Sequence, residues 1–74
     1  MATLTKGRKV LVKRLSLAYS DYKNLPGEVV DIHGEYASVA VPRKLFSEED
    51  QRDLKHLDGN ALVSVKLTNL AKNG

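Results

Sequence analysis

The sequence predicts a mainly β fold, a small antiparallel barrel of four to five strands with one short helix before the last strand. Segments rich in β-branched residues alternate apolar and polar side chains, and glycine or proline separates them. The strands are too few for a β-sandwich and do not alternate with helices. Closing the sheet removes edges that a chain of 74 residues cannot otherwise cover.

The first strand is predicted over Lys9–Leu15, with Val10 and Val12 on one face and the lysines on the other. The polar segment Leu17–Leu25 predicts a long irregular loop, and such loops often carry function. Pro26–Gly27 then predicts a turn that separates this loop from the second strand.

The clearest hairpin joins the second and third strands, predicted over Glu28–Ile32 and Tyr36–Pro42. We expect Val30 and Ile32 to face inward. The connection His33–Glu35 is short, and its glycine can supply the positive φ that a tight turn requires.

A short helix is predicted to begin after Ser47, whose hydroxyl can cap the first turn. Glu48–Asp50 suit the positive end of the helix dipole, and Gly59 is a plausible stop. The last strand is predicted over Ala61–Leu67, and Ala71–Gly74 is expected to fray.

Four short motifs carry a family resemblance: Gly7-x-x-Val10-x-Val12, Pro26-Gly27-Glu28-Val29-Val30-Asp31-Ile32-x-Gly34, Ala37-x-Val39-x-Val41 and Val63–Leu70. Together they resemble the SH3-like barrel of the KOW type, which ribosomal and transcription-elongation proteins contain. The resemblance implies a barrel fold and a module associated with nucleic acid. The long first loop and the acidic helix depart from the KOW pattern, and similar barrels also serve as accessory subunits of larger enzymes.

Recognisable catalytic motifs are nearly absent from the sequence. With no cysteine, the chain has no disulfide and no thiolate zinc site. It has no glycine-rich phosphate loop, no His-Glu-x-x-His pattern and no Gly-x-Ser-x-Gly elbow. His33 and His56 could join a metal site with Asp31 or Asp53, but no spacing fixes that geometry, and we expect two solvated surface histidines. We therefore predict a binding module rather than an enzyme, with no catalytic residue, no metal and no cofactor.

Length and composition predict one domain over residues 1–74, with an ordered core over about 7–70 and flexible ends. No apolar run approaches the roughly 18 residues that suggest a membrane span. The first residues also lack the apolar stretch of a secretory signal. We expect a cytoplasmic protein without membrane contact, and the oligomeric state stays open.

Basic residues at the two ends of the chain form the better candidate for function. Lys9, Lys13 and Lys66 are expected on the outer faces of the first and last strands. If these strands are neighbours, the lysines form a patch that Arg14 extends, and such a patch suits a phosphate backbone. The alternative is an ordinary solvated face, because lysine also protects sheet edges from aggregation.

Tyr19 and Tyr22 fall in the predicted long loop, where they can stack on bases. They can equally grip a protein ligand lying across this loop and Pro26–Gly27, or fold back onto the barrel. Nucleic acid and a protein partner therefore both stay open, with Lys9, Lys13, Arg14, Lys66, Tyr19 and Tyr22 as the predicted nucleic-acid-binding residues.

Overall fold

The computed structural model describes residues 6–73, and within them one antiparallel sheet holds six strands. The strands are β1 (Lys9–Ser16), β2 (Asp21–His33), β3 (Tyr36–Pro42), β4 (Lys55–Leu57), β5 (Asn60–Lys66) and β6 (Leu70–Lys72). One helix, α1, spans Glu48–Asp53, and 3₁₀ turns span Arg43–Leu45 and Leu67–Asn69. The strand order is β4-β5-β3-β2-β1-β6, which confirms a mainly β fold with one short helix.

The prediction of a long loop is wrong, because most of the residues assigned to it belong to β2. The connection between β1 and β2 is only Leu17–Ser20, and β2 runs for 13 residues. Its first part pairs with β1, from Ser16 opposite Asp21 to Lys9 opposite Glu28. Its second part pairs with β3, so Pro26–Gly27 lies inside a continuous strand rather than in a turn.

The inward face of β2 also differs from the prediction. Val29 is buried opposite Val39, whereas Val30 is the extra residue of a β-bulge and is only half-buried. The bulge shifts the alternation by one residue. Ile32 therefore returns to the inner face opposite the buried Ala37, and it packs against the core as predicted.

Helix α1 begins as predicted but ends earlier than Gly59. The Ser47 hydroxyl accepts the backbone N–H of Asp50, and the last helical residue is Asp53. Asp58 and Gly59 instead form the two-residue turn between β4 and β5, with φ of 49° and 80°. Two consecutive positive φ angles match the twist of a tight hairpin, so the glycine serves this turn rather than a helix end.

The end of the chain is a strand over part of the segment that we expected to fray. The predicted last strand corresponds to β5, which pairs with β3. The following 3₁₀ turn leads into β6, where Leu70 lies opposite Val12 and Lys72 opposite Val10. The neighbour of β1 is therefore β6 and not the strand that carries Lys66. The expected flexibility of residues 1–5 and Gly74 lies outside the described residues.

Candidate nucleic-acid interface

In the hairpin formed by β1 and β2, the residue positions that face the core change parity along the strands. Val12 is fully buried, and the even positions of β1 point inward up to this residue. Opposite the next position of β1, Asn24 adopts a positive φ of 53°. Beyond it Leu15 and Tyr22, which lie opposite each other, pack against the core. Asn24 marks the point of this switch, and asparagine is among the residues that tolerate the left-handed region.

The switch leaves two cations exposed and directly opposite each other. Arg14 on β1 faces Lys23 on β2 across the ladder, and both side chains are exposed. Neither forms an ion pair within residues 6–73. Like charges directly opposite on neighbouring strands are destabilising. The pair therefore creates local positive potential at a cost in stability.

The backbone of Arg14 is held from the side away from β2. Its N–H donates to Oδ1 of Asn69 at 3.3 Å, and Nδ2 of Asn69 donates to its carbonyl. The Asn69 amide thus bonds to the backbone of β1 as a neighbouring strand would, at the position just before β6 in the chain. This contact leaves the guanidinium of Arg14 free while it fixes the strand that carries it.

The remaining predicted lysines are divided between two regions. Nζ of Lys13 donates to the carbonyl of Thr68 at 3.5 Å, and Thr68 follows Lys66 by two residues. Lys9 lies at the other end of β1, four residues or about 13 Å from Lys13 along an extended strand. It sits opposite Glu28 and lines a separate concavity. The structure therefore places Lys13 beside Arg14 and in contact with the turn that follows Lys66, and it leaves Lys9 apart.

Tyr22 is occupied by internal contacts. Its hydroxyl donates to Oδ2 of Asp50 at 2.7 Å and accepts the backbone N–H of Ser47 at 2.9 Å. Its ring meets Phe46 edge-on, with ring centroids 5.0 Å apart. A half-buried tyrosine with a committed hydroxyl does not offer its face to a base, so this geometry argues against the predicted stacking role of Tyr22.

Tyr19 is placed differently, at the tip of the hairpin. Its side chain is 64% exposed. Its backbone N–H donates to Oδ1 of Asp50 at 3.1 Å, so the turn is tied to α1. The ring is thus presented on a fixed backbone, and the predicted stacking role of Tyr19 stays a prediction.

Asp50 links the helix to the hairpin, which the sequence pattern does not reveal. It is only 2% exposed, whereas the sequence predicted for it only a favourable interaction with the helix dipole. Donors from Tyr19, Tyr22 and Ser47 all reach its carboxylate. Its spacing of three residues from Ser47 is the one signal in the sequence, because this is the spacing of a helix cap and its partner.

The sequence alone does not single out Lys23 or Asn69 either. The predicted loop placed Lys23 outside any strand, so no register with Arg14 was available. Asn69 acts through the backbone of a residue 55 positions earlier, and no local pattern reports such a contact.

Comparisons with known proteins identify no relative. No family model, curated protein or solved structure matches the chain. Within residues 6–73, no helix is long and apolar enough to cross a membrane. The same described residues contain no group of three or more His, Cys, Asp or Glu side chains placed to hold a metal ion.

The ion pairs of the described residues gather around Asp31, next to the β-bulge. Its carboxylate lies 3.5 Å from Nζ of Lys6 and 3.1 Å from Nε2 of His33. The pKa of Asp31 lies below its usual value, mainly because the backbone N–H of Ile32 donates to its carboxylate. His33 and Lys6 lower the pKa further by electrostatic attraction, while partial desolvation opposes the shift.

Proposed function

We propose that this protein is a non-catalytic module that binds the phosphate backbone of nucleic acid through the β1–β2 hairpin. The contacts are assigned to Lys13, Arg14 and Lys23, here called the hairpin cations. The juxtaposition of Arg14 and Lys23 carries the proposal, because two unpaired like charges held together suit an anionic ligand. Asp21 is the nearest acid along the hairpin, and it too forms no ion pair within residues 6–73.

Lys66 extends the proposed surface, whereas Lys9 does not belong to it. Lys66 is exposed on β5 and precedes the Thr68 carbonyl that Lys13 contacts. Lys9 lies opposite an acid, Glu28, across the ladder. We therefore expect the phosphate path to run over the far half of the hairpin and toward the 3₁₀ turn at Leu67–Asn69.

A salt titration tests this function. The variant Arg14→Gln/Lys23→Gln removes two cations, and Arg52→Gln/Lys55→Gln is the control because it removes two exposed cations from α1 and β4. Fluorescence anisotropy with a labelled RNA or DNA 12-mer measures affinity from low to physiological salt. For a single strand, losing two phosphate contacts lowers the log–log salt slope by about 1.4. Absence of wild-type binding at low salt, or equal losses in the two variants, contradicts the proposal.

Protein binding is a second candidate function, and its surface lies elsewhere. An open concavity of about 390 Å³ lies between Pro26 and Pro42. Its lining does not include Tyr19 or Tyr22. Gly27, which lines it, and Tyr22 are five residues or about 17 Å apart along β2. Binding that survives changes at the hairpin cations but is lost in Pro42→Glu favours this candidate.

We propose that the sheet curves into an SH3-like barrel. A flat sheet would place β5 and β6 four strand spacings, or about 19 Å, apart. The three residues of the connecting 3₁₀ turn rise only about 2 Å each. The sheet must therefore curl, and this supports barrel-like closure with β4 as an additional edge strand.

A further inference from the structure

The turn at the hairpin tip presents an aromatic ring from a held backbone. The N–H of Leu17 donates to the carbonyl of Ser20 at 2.9 Å and closes the turn. The N–H of Tyr19 donates to Asp50, which is itself buried in the packing of α1. One hydrogen bond thus closes the turn and another holds the backbone of Tyr19, while the residue is 64% exposed.

The ring of Tyr19 lies within a few nucleotides of the hairpin cations. Arg14 precedes the turn by three residues, a distance of about 10 Å along an extended strand. Successive nucleotides of a stacked strand are about 3.4 Å apart along its axis. A strand whose phosphates meet Arg14 and Lys23 can therefore reach the tip with a base about three nucleotides away.

Duplex and single strand differ in what they offer to this ring. Both present phosphates to the hairpin cations. In a duplex, however, the base faces are stacked on one another, and exposing one costs a few kcal/mol. A single strand presents its base faces without that cost, and stacking on an aromatic side chain adds about 1–3 kcal/mol per base.

We propose that this site selects single-stranded over double-stranded nucleic acid, with Tyr19 as the residue that discriminates. The inference rests on the proposed function, because Tyr19 acts on a strand that the hairpin cations already hold. Stacking tolerates any base, so we expect little sequence preference.

Affinities for a 12-nucleotide RNA and for the duplex of the same sequence test the inference. Tyr19→Leu is expected to weaken single-strand binding by about 5- to 150-fold, the equivalent of one stacked base, and to leave duplex binding unchanged. Tyr19→Trp should retain single-strand affinity, because tryptophan keeps a stacking face. Leu57→Ala is the control, since Leu57 is also an exposed large apolar residue, at 44%, but lies on β4.

The outcomes separate this inference from the function on which it rests. If neither nucleic acid binds the wild-type protein, the proposed function and the inference both fail. If both bind equally well, or if Tyr19→Leu weakens both by the same factor, the selectivity is wrong and backbone binding stands. Amide spectra confirm that each variant is folded; this is expected because the hydrogen bond from residue 19 to Asp50 involves only its backbone N–H.

Discussion

The hydroxyl of Tyr22 donates a 2.7 Å hydrogen bond to the buried carboxylate of Asp50 and thereby joins the β1–β2 hairpin to helix α1. The same hydroxyl accepts the backbone N–H of Ser47, the residue that caps α1. Among the described residues no buried side-chain polar atom lacks a partner. The acidic helix, which departs from the KOW pattern, thus anchors the turn that carries Tyr19.

Tyr22→Phe tests this junction. The change keeps the ring packing on Phe46 but removes a donor to Asp50 and the acceptor for the Ser47 N–H. We expect a loss of about 1–3 kcal/mol in the free energy of unfolding, because buried polar groups lose partners. Urea denaturation measures it.

Tyr19→Phe is the matched control, because the Tyr19 hydroxyl forms no hydrogen bond within residues 6–73. We expect its urea midpoint to stay within the error of the wild-type value. Equal midpoints for Tyr22→Phe and the wild-type protein would show that the hydrogen bond from Tyr22 to Asp50 does not stabilise the fold.

Local alternation explains why some elements were predictable and others were not. The strand over Tyr36–Pro42 was predicted with its observed bounds, because its buried residues alternate along one segment. Asp21–Leu25 appears polar because most of its residues are exposed, and its pairing with β1 makes it a strand. The three-residue β6 likewise exists through distant contacts with β1.

The candidate site followed the same rule. Lys13, Arg14 and Tyr19 could be proposed from residue type alone. The partner of Arg14, Lys23, depends on a register that only the folded hairpin defines. The burial of Asp50 depends on Tyr22, which lies 28 residues away along the chain.

Gly27 permits the close approach of β2 and β3. A Cβ at this position would lie 2.6 Å from Cγ1 of Val39 and 2.9 Å from the carbonyl oxygen of Ala40. Gly27→Ala is therefore expected to destabilise the fold by about 1–3 kcal/mol through overpacking. Thermal and urea unfolding measure the change.

A double-mutant cycle with Val39→Ala distinguishes this clash from a general loss of stability. Removing Cγ1 of Val39 relieves the shortest contact, so the double variant should be more stable than the sum of the two single changes implies. Additive losses would mean that the side chain of Val39 is not what excludes a Cβ at residue 27.

The lowered pKa of Asp31 predicts that the stability of the fold depends on pH. A carboxyl whose pKa is lower in the folded than in the unfolded chain stabilises the fold above the unfolded value, near 3.8. That contribution disappears as the pH falls through the folded-state pKa. Asp31→Asn should therefore be less stable than the wild-type protein at pH 7, and the difference should shrink toward pH 3. Urea midpoints across this range measure it.

Asp21→Asn serves as the control for the pH series, because Asp21 is exposed and forms no ion pair within residues 6–73. We expect its urea midpoint to follow the wild-type curve at every pH. A gap between wild type and Asp31→Asn that is constant from pH 7 to pH 3 would contradict the ionic role of Asp31.

Lys23→Glu should separate stability from binding, because Lys23 faces Arg14 directly. The change replaces a like-charge pair by an opposite-charge pair, and we expect a gain of roughly 0.2–1 kcal/mol in the free energy of unfolding. It also places a negative charge on the proposed phosphate path, so nucleic-acid affinity should fall steeply. Lys44→Glu, with the same change in net charge on the 3₁₀ turn Arg43–Leu45, should alter binding much less. A more stable Lys23→Glu variant that binds as well as the wild-type protein would confirm the charge repulsion but exclude Lys23 from the binding site.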